Sequence, residues 1–403
     1  MGPLGPGELV SDIQGAAMMS GQNIICFAND WDSDPTSTHQ VMKILARCNR
    51  VLWVNSIGLR SPRVTAHDAS RMIKKVRQFL QGLAAINDNL HVLTPLVIPF
   101  HNVPGVRAAN AWLLSRYIRT QARKLGMERF QIWVKLPTAA SLIRHLRPEK
   151  VVYYCVDEWS AFSFLDGKLM REMEEDLIAQ SDLVLVSAEA LYASKRPLHS
   201  RTYLIPHGVD GEHFAQARSE TTAMARELHG LPRPIIGFWG LIHEWIDQDV
   251  IRHAAWHHPG WSFVLVGKVA VECRELQRLP NVHLVGQRPY EALPGFAKGF
   301  TAAMLPFKVN RLTENVNPIK LREYLAAGLP VVATPLPEVR PYASVVRVGG
   351  TPEEFANQLE AAVRDTSEAS ARQRMETVCK ETWLERVEYI SKLVESVPAR
   401  VGN

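Results

Sequence analysis

Thr313-Glu314-Asn315-Val316-Asn317-Pro318-Ile319-Lys320-Leu321-Arg322-Glu323-Tyr324-Leu325-Ala326-Ala327-Gly328-Leu329-Pro330-Val331-Val332-Ala333-Thr334 reads as a loop, a short helix and a strand in direct succession. Pro318 stands at or near the first helical position, where its missing N–H leaves no bond unmade. Gly328 can take the left-handed conformation that ends a helix, and Pro330 opens a β-branched run that reads as a buried strand. A helix N-terminus gathers unpaired N–H groups and partial positive charge, and Lys320 adds a cation in the first turn, so the segment suits a diphosphate. Glu323, one turn further on, can accept hydrogen bonds from two vicinal hydroxyls, as a ribose presents. The same spacing also fits a solvated ion pair on a surface helix.

Outward from this segment, apolar runs alternate with helical patterns along most of the chain. In the first half the strand-like runs are 23–27, 50–55, 91–98, 130–134, 151–156 and 183–187, with helices starting near Ser37, Asp68 and Ala109 and around 169–178. Ser37 with Gln40 has the spacing of a helix-capping pair. A break at Ile205-Pro206-His207-Gly208-Val209-Asp210 is followed by a polar stretch, and the alternation resumes at 235–239, 261–266, 282–285, 302–305, 331–334 and 345–348. Strands apolar on both faces and separated by helices imply parallel sheets covered by helices. The expected organisation is a flexible tail (1–20), an α/β domain (21–206), a second α/β domain (207–382) and a closing amphipathic helix (383–403).

The chain has 403 residues, 46% of them hydrophobic, enough for two such cores. Its five cysteines are odd in number and widely spaced, which reads as buried thiols in a reducing compartment. No basic flank followed by an apolar stretch opens the sequence, and no run of 18 apolar residues occurs, so neither a secretory signal nor a membrane span is expected. The net charge of +5 hides a segregation. Residues 51–150 hold 16 basic and four acidic side chains, a local +12 that leaves −7 for the rest. One part of the molecule is therefore suited to an anionic partner.

Two nucleotide-binding devices are missing. The first strand runs into Ala28-Asn29-Asp30-Trp31-Asp32-Ser33-Asp34-Pro35, without glycine and with three carboxylates where a pyrophosphate needs bare backbone, and no Gly-Lys-Ser/Thr occurs. In the second domain Gly237-Phe238-Trp239-Gly240-Leu241 ends a strand, and Gly240 lets backbone approach a ligand. Together with 313–334, the segments 153–159, 181–187, 205–210, Gly237–Gly240 with Asp247, and 280–286 resemble, in order, the GT-B glycosyltransferases of the family 1 and family 4 kind that build bacterial surface polysaccharides. The likeness spans roughly 21–396. It implies two doubly wound Rossmann-like domains facing a central cleft, with the C-terminal helix crossing back to the first. It further implies a nucleoside-diphosphate sugar bound mainly by the second domain and a lipid-linked or growing glycan acceptor bound by the first. The donor-side residues it marks are Gly240, His243, Lys268, Thr313, Asn317, Pro318, Lys320 and Glu323.

The chain departs from the family pattern at two points. Retaining members carry two glutamates with seven residues between them, and counting back from Glu323 reaches Asn315, with Glu314 one position off. The basic pair after the glycine turn is replaced by a single His243. If the reaction inverts the anomeric centre, a carboxylate or histidine must take the acceptor's proton. Asp157, directly after the strand 151–156, fits best, with Glu158 and His39 as further catalytic candidates and Asp30 and Asp34 as competitors. If it retains configuration, the leaving diphosphate can take the proton and Asp157 orients the substrate. Neither scheme demands a metal or other cofactor, and no metal-ligand spacing is present.

The basic window suggests a docking surface. At 100° per residue Trp112, Arg116, Arg119 and Arg123 share one helix face, opposite Leu114, Ile118 and Leu125. On the preceding helix, Met72, Ile73, Val76, Phe79 and Leu80 are expected inward, and Arg71, Lys74 and Lys75 outward. Guanidinium groups beside an indole suit an anionic bilayer, so the expected location is the cytoplasm, peripheral on the inner face of the membrane, with Asp34 on the acceptor side. Ordinary solvated helix faces account for the same pattern. Nucleic acid is not expected as a partner, because no recognition motif or stacking platform accompanies the charge. A non-catalytic sugar-nucleotide scaffold or sensor, or a two-domain epimerase of the same architecture, is the alternative function.

Overall fold

The computed structural model describes residues 18–33, 35–57, 66–96 and 104–400. Most of the expected tail and Asp34 lie outside the described residues. The chain divides into two compact units, one running to Pro206 and taken up again from Leu384, the other His207–Trp383.

The first unit contains β1 (Asn23–Phe27), α1 (Ser37–Leu45), β2 (Arg50–Val54), α2 (Ala66–Gln81), β3 (Leu83–Ala85), β4 (Leu90–Leu93), α3 (Pro104–Lys124), β5 (Gln131–Val134), α4 (Ala140–Leu146), β6 (Lys150–Cys155), α5 (Gly167–Gln180), β7 (Leu183–Val186), α6 (Glu189–Lys195) and β8 (Thr202–Leu204). They form one sheet of order β3-β4-β2-β1-β5-β6-β7-β8. Every pair is parallel except β3 with β4. The apolar strands are buried on both faces, as a helix-covered parallel sheet requires. Two short edge strands, β3 and β8, were not legible: three residues are too few to show a period.

The second unit contains α7 (Gly211–Ala215), β9 (Ile235–Trp239), α8 (Gln248–His257), β10 (Ser262–Val266), α9 (Arg274–Gln277), β11 (Val282–Gly286), α10 (Leu293–Gly299), β12 (Ala302–Leu305), α11 (Ile319–Ala326), β13 (Val331–Ala333), β14 (Val346–Val348), α12 (Pro352–Val363) and α13 (Glu368–Val378). Its sheet is wholly parallel, in the order β11-β10-β9-β12-β13-β14. In both sheets the chain moves one way from a central strand and then returns to build on the other side. The order therefore reverses between β1 and β5 in the first unit and between β9 and β12 in the second. Ligands of such sheets bind outside the carboxyl ends of the strands at that switch point.

A final helix, α14 (Trp383–Ser396), returns the chain to the first unit. There Lys150 donates to the Val394 carbonyl at 2.7 Å, and Arg400 pairs with Asp182 at 2.8 Å. Its Val387, Ile390 and Val394 are buried, whereas Leu384 is exposed.

The start of α1 differs from the expected Ser37–Gln40 cap. The residue before the helix is Thr36, and its backbone N–H donates to Nδ1 of His39 at 3.1 Å. The imidazole, three positions on, takes the place a glutamine side chain would occupy.

Candidate functional site

In the second unit the switch point is built from β9, its following turn and α11. Trp239 ends β9; its backbone N–H donates to the Tyr324 hydroxyl at 3.0 Å and its indole Nε1 to Glu323 Oε2 at 2.7 Å. The tryptophan and tyrosine rings meet edge to face at 4.3 Å. These bonds fix α11 against the strand end. Glu323 is only 6% exposed, and among the described residues its Oε1 has no protein donor. Pro318 occupies the N-cap of α11 with no side-chain cap; the Leu321 N–H donates to the Pro318 carbonyl at 3.2 Å, which leaves the N–H groups of Ile319 and Lys320 at the helix start. Lys320, half-buried in that first turn, runs along the glycine turn: a Cβ built on Gly240 would stand 3.2 Å from Lys320 Cε. Gly240 has φ +143°, and the next turn presses still closer, since a Cβ on Gly267 would lie 1.9 Å from the Gly240 carbonyl oxygen. Both turns therefore require glycine. The structure thus brings Gly240, Pro318, Lys320 and Glu323 together.

Other expected donor residues do different work. Asn317 is buried, and both ends of its amide are spent: Oδ1 accepts from Arg322 at 2.7 Å and from the His207 N–H at 3.3 Å, while Nδ2 donates to Glu338. Its carbonyl oxygen and one of its two amide N–H groups thus hold the loop before α11, which corrects the expectation that it serves chiefly as a donor contact. Thr313 is corrected for the same reason. Its buried hydroxyl donates to the Lys308 carbonyl and its N–H to Asn310 Oδ1 at 3.2 Å, so it organises a turn. His243 is half-buried and stacked on Trp245 at 4.3 Å; burial pushes its pKa down against the pull of Glu244, so it is a poor substitute for a basic pair. Lys268 is exposed, directly after Gly267, and its carbonyl accepts from Ile242 at 2.9 Å within the same pair of turns.

At the switch point of the first unit, Asp157 follows β6 and is half-buried. Burial raises its carboxyl above the ordinary aspartate range, and the Lys135 ammonium opposes that rise. Lys135 was not among the expected residues. It follows the apolar strand β5, where a lone lysine in Gln131-Ile132-Trp133-Val134-Lys135 was the available signal.

Glu158 is corrected from a catalytic candidate to part of a buried ion cluster. Lys195 donates to Glu158 Oε2 at 3.1 Å and to Glu174 Oε2 at 2.7 Å, Ser160 donates to Glu158 Oε1 at 2.5 Å, and Tyr153 to Glu174 Oε1 at 2.6 Å. His39 is corrected likewise. Its Nδ1 accepts from Thr36 and its Nε2 lies 3.3 Å from the Trp31 carbonyl, which it can only reach as a donor. It is packed between Trp31 and Trp53 at 5.0 and 4.4 Å. Burial first, then the charge of Lys135, pushes its pKa down to about 4, so the imidazole stays neutral with no free lone pair for a proton. Asp30 accepts from the Ser56 N–H at 3.1 Å and pairs with Lys75 at 3.3 Å, which spends the nearest competitor of Asp157.

The basic window is also partly spent. On α3, Leu114 and Ile118 are buried and Trp112, Arg116 and Arg123 exposed, with the Arg116 guanidinium 5.1 Å from the Trp112 ring centre. Arg119, expected on that free face, instead donates to the carbonyls of His145 and Leu146 at 3.2 and 2.6 Å, satisfying the end of α4. On α2 the expected orientation is reversed in part. Lys74 pairs with Asp32 and Lys75 with Asp30, whereas Ile73 and Leu80 are 71% and 77% exposed. Phe79 meets Tyr117 of α3 at 5.2 Å. The side chains of Arg71 and Met72 lie outside the described residues. Periodicity says which residues share a face, and here the ion pairs to the loop after β1 decide which face docks.

Residues 233–365 match the family of group 1 glycosyl transferases. The Bacillus subtilis (strain 168) protein TuaH, named as a teichuronic acid biosynthesis glycosyltransferase, is 27% identical over 388 residues, covering 89% of this chain and 93% of its own. Among solved structures, a sucrose-phosphate synthase from Thermosynechococcus elongatus matches with TM-score 0.68 at 15% identity over 93% of this chain and 98% of its own. The HepE protein of Anabaena, in complex with UDP and glucose, matches with TM-score 0.62 at 14% identity over 93% and 99%. The chain has the GT-B glycosyltransferase fold. The family match lies within the unit that contains β9 and α11, where Gly240, Lys320 and Glu323 meet. No helix among the described residues is long and apolar enough to cross a membrane.

Proposed function

We propose that this glycosyltransferase transfers a sugar from a nucleoside-diphosphate donor, with UDP as the first candidate, to a lipid-linked or growing glycan in the assembly of a cell-surface polysaccharide. The carrying observation is the constellation at the switch point of the second sheet. The uncapped N-terminus of α11 and Lys320 suit the diphosphate, Gly240 lets it approach the backbone, and Glu323 Oε1 is left for ribose hydroxyls. UDP is the nucleotide named with HepE, and teichuronic acid biosynthesis is the pathway named for TuaH. With cation and helix end neutralising the leaving group, the reaction is proposed to need no metal, and activity should survive EDTA.

In the transfer, the acceptor oxygen bonds to the anomeric carbon, the bond from that carbon to the diphosphate oxygen breaks, and the nucleoside diphosphate leaves with the electron pair. The acceptor proton goes to Asp157 if configuration inverts. It goes to the departing diphosphate if configuration is retained, Asp157 then accepting a hydrogen bond that orients the acceptor. Both roles need an ionised Asp157. The acceptor is proposed to reside on a cytoplasmic membrane face, for which α3 offers Trp112, 52% exposed, beside Arg116, with Arg123 exposed further along the helix.

The test is thermal unfolding of the full chain with UDP-, GDP-, ADP- and dTDP-sugars. A donor at 100 times its dissociation constant should add ~2.7 kcal/mol of stability. Glu323→Ala should reduce that stabilisation. An unshifted midpoint with every nucleotide would favour the scaffold reading.

A further inference from the structure

We infer that Trp239 is a positioning residue that occupies one carboxylate oxygen of Glu323, so that the donor site grips the ribose of UDP by one hydroxyl rather than two. The inference rests on the proposed reading of Glu323 as the ribose contact and narrows it.

Glu323 lies one turn after Lys320 on α11, and Trp239 is the last residue of β9. The indole Nε1 donates to Glu323 Oε2 at 2.7 Å, which ties that oxygen to a residue only 2% exposed. The ring is held on several sides. It stacks on Phe214 at 5.7 Å and on Phe300 at 6.0 Å, and it meets Tyr324 edge to face at 4.3 Å. The backbone is fixed as well, because the Trp239 N–H donates to the Tyr324 hydroxyl at 3.0 Å. In a close-packed interior the indole cannot turn away from the carboxylate without displacing these neighbours. Two other buried indoles of the chain are satisfied by neutral oxygens, Trp53 by the Asn29 carbonyl at 2.9 Å and Trp133 by Gln131 Oε1 at 3.3 Å. Trp239 instead takes up half of a carboxylate at the switch point of the second sheet.

What remains is Oε1, which accepts from no donor among the described residues. A free carboxylate can take a vicinal diol with one oxygen for each hydroxyl. A single oxygen serves such a pair poorly. Two hydroxyl oxygens about 2.8 Å apart, each at the usual bond length, subtend about 60° at one acceptor, whereas its lone pairs diverge by about twice that angle. One hydroxyl is then bonded well, and the other is left to water or to its neighbour. Hydrogen bonds to a charged acceptor are the strong ones, so loss of the gripped hydroxyl should weaken binding about tenfold or more, and loss of the other should hardly matter.

The experiment is calorimetric titration of the full chain with UDP, 2′-deoxy-UDP and 3′-deoxy-UDP. In the wild type one deoxy compound should bind within about twofold of UDP and the other about tenfold or more weakly. Trp239→Phe keeps an aromatic ring and removes the N–H, which releases Oε2. In that variant the tolerated compound should lose severalfold against UDP, a change in selectivity that loosened packing alone would not produce. Large and equal losses with both compounds in the wild type overturn the inference and leave Glu323 as the ribose contact, a result that needs no variant to fold. A folded Trp239→Phe with the wild-type pattern of losses also overturns it. Tolerance of both compounds, no binding of UDP, or UDP binding unchanged in Glu323→Ala removes the donor reading itself, and the inference with it.

Discussion

His39 shows how burial redirects a titratable side chain. In the folded chain it takes up a proton only near pH 4, whereas an unfolded histidine does so near 6.5. As pH falls below 6.5 the unfolded state binds the proton first, so stability is complete above 6.5 and is lost progressively toward pH 4, by about 3 kcal/mol in all. Urea midpoints of the wild type should fall over that window, and His39→Gln should flatten the fall. Single atoms are equally decisive at Gly267. A methyl group there would stand 1.9 Å from the Gly240 oxygen, which cannot move without moving the turn that borders Lys320. Gly267→Ala should lower both the unfolding midpoint and the nucleotide-induced shift; an unchanged shift would separate this turn from donor binding. At this scale the places of Lys320 and Glu323 in the first turns of a helix and of Asp157 after a strand were readable from sequence, because they follow from local backbone signals.

Among elements, α11 was legible almost to the residue, since Pro318, Gly328 and Pro330 mark its limits by local backbone chemistry alone. The groups that seat it were not legible. Asn317, expected at the donor, instead joins His207, Arg322 and Glu338, and Arg322 reaches Glu381 at 2.5 Å; these partners are separated by up to 110 positions. The buried cluster that ties α5 and α6 to the segment after β6 has the same character. Removing its cation by Lys195→Met leaves Glu158 and Glu174 buried without their ammonium, and urea unfolding should report a loss of about 3–5 kcal/mol. Adding Glu158→Gln and Glu174→Gln to that variant should recover much of the loss. If Lys195→Met proved neutral, the cluster would not be what orders this segment.

For the whole molecule, the segregated charge leads to a prediction that the structure narrows. Vesicles containing anionic lipid should bind the wild type and release it as salt rises. Charge reversal at Arg116 and Arg123 should weaken binding severalfold without changing nucleotide affinity. Arg119 is left out of that test because reversing it would unseat the end of α4. Binding that ignores both salt and these substitutions would remove the membrane from the proposal. The sequence alone determined the two α/β halves, the break near residue 206, the helix that opens on Pro318, and the concentration of positive charge in 51–150. All of these follow from period, backbone restriction or composition, which are local or additive. Only the tertiary structure decided which carboxylates are spent and which remain, and which lysines of α2 are neutralised by the loop after β1. Those outcomes depend on contacts between distant residues and on burial, and burial sets whether a charge costs energy, holds an element or is left to meet a substrate.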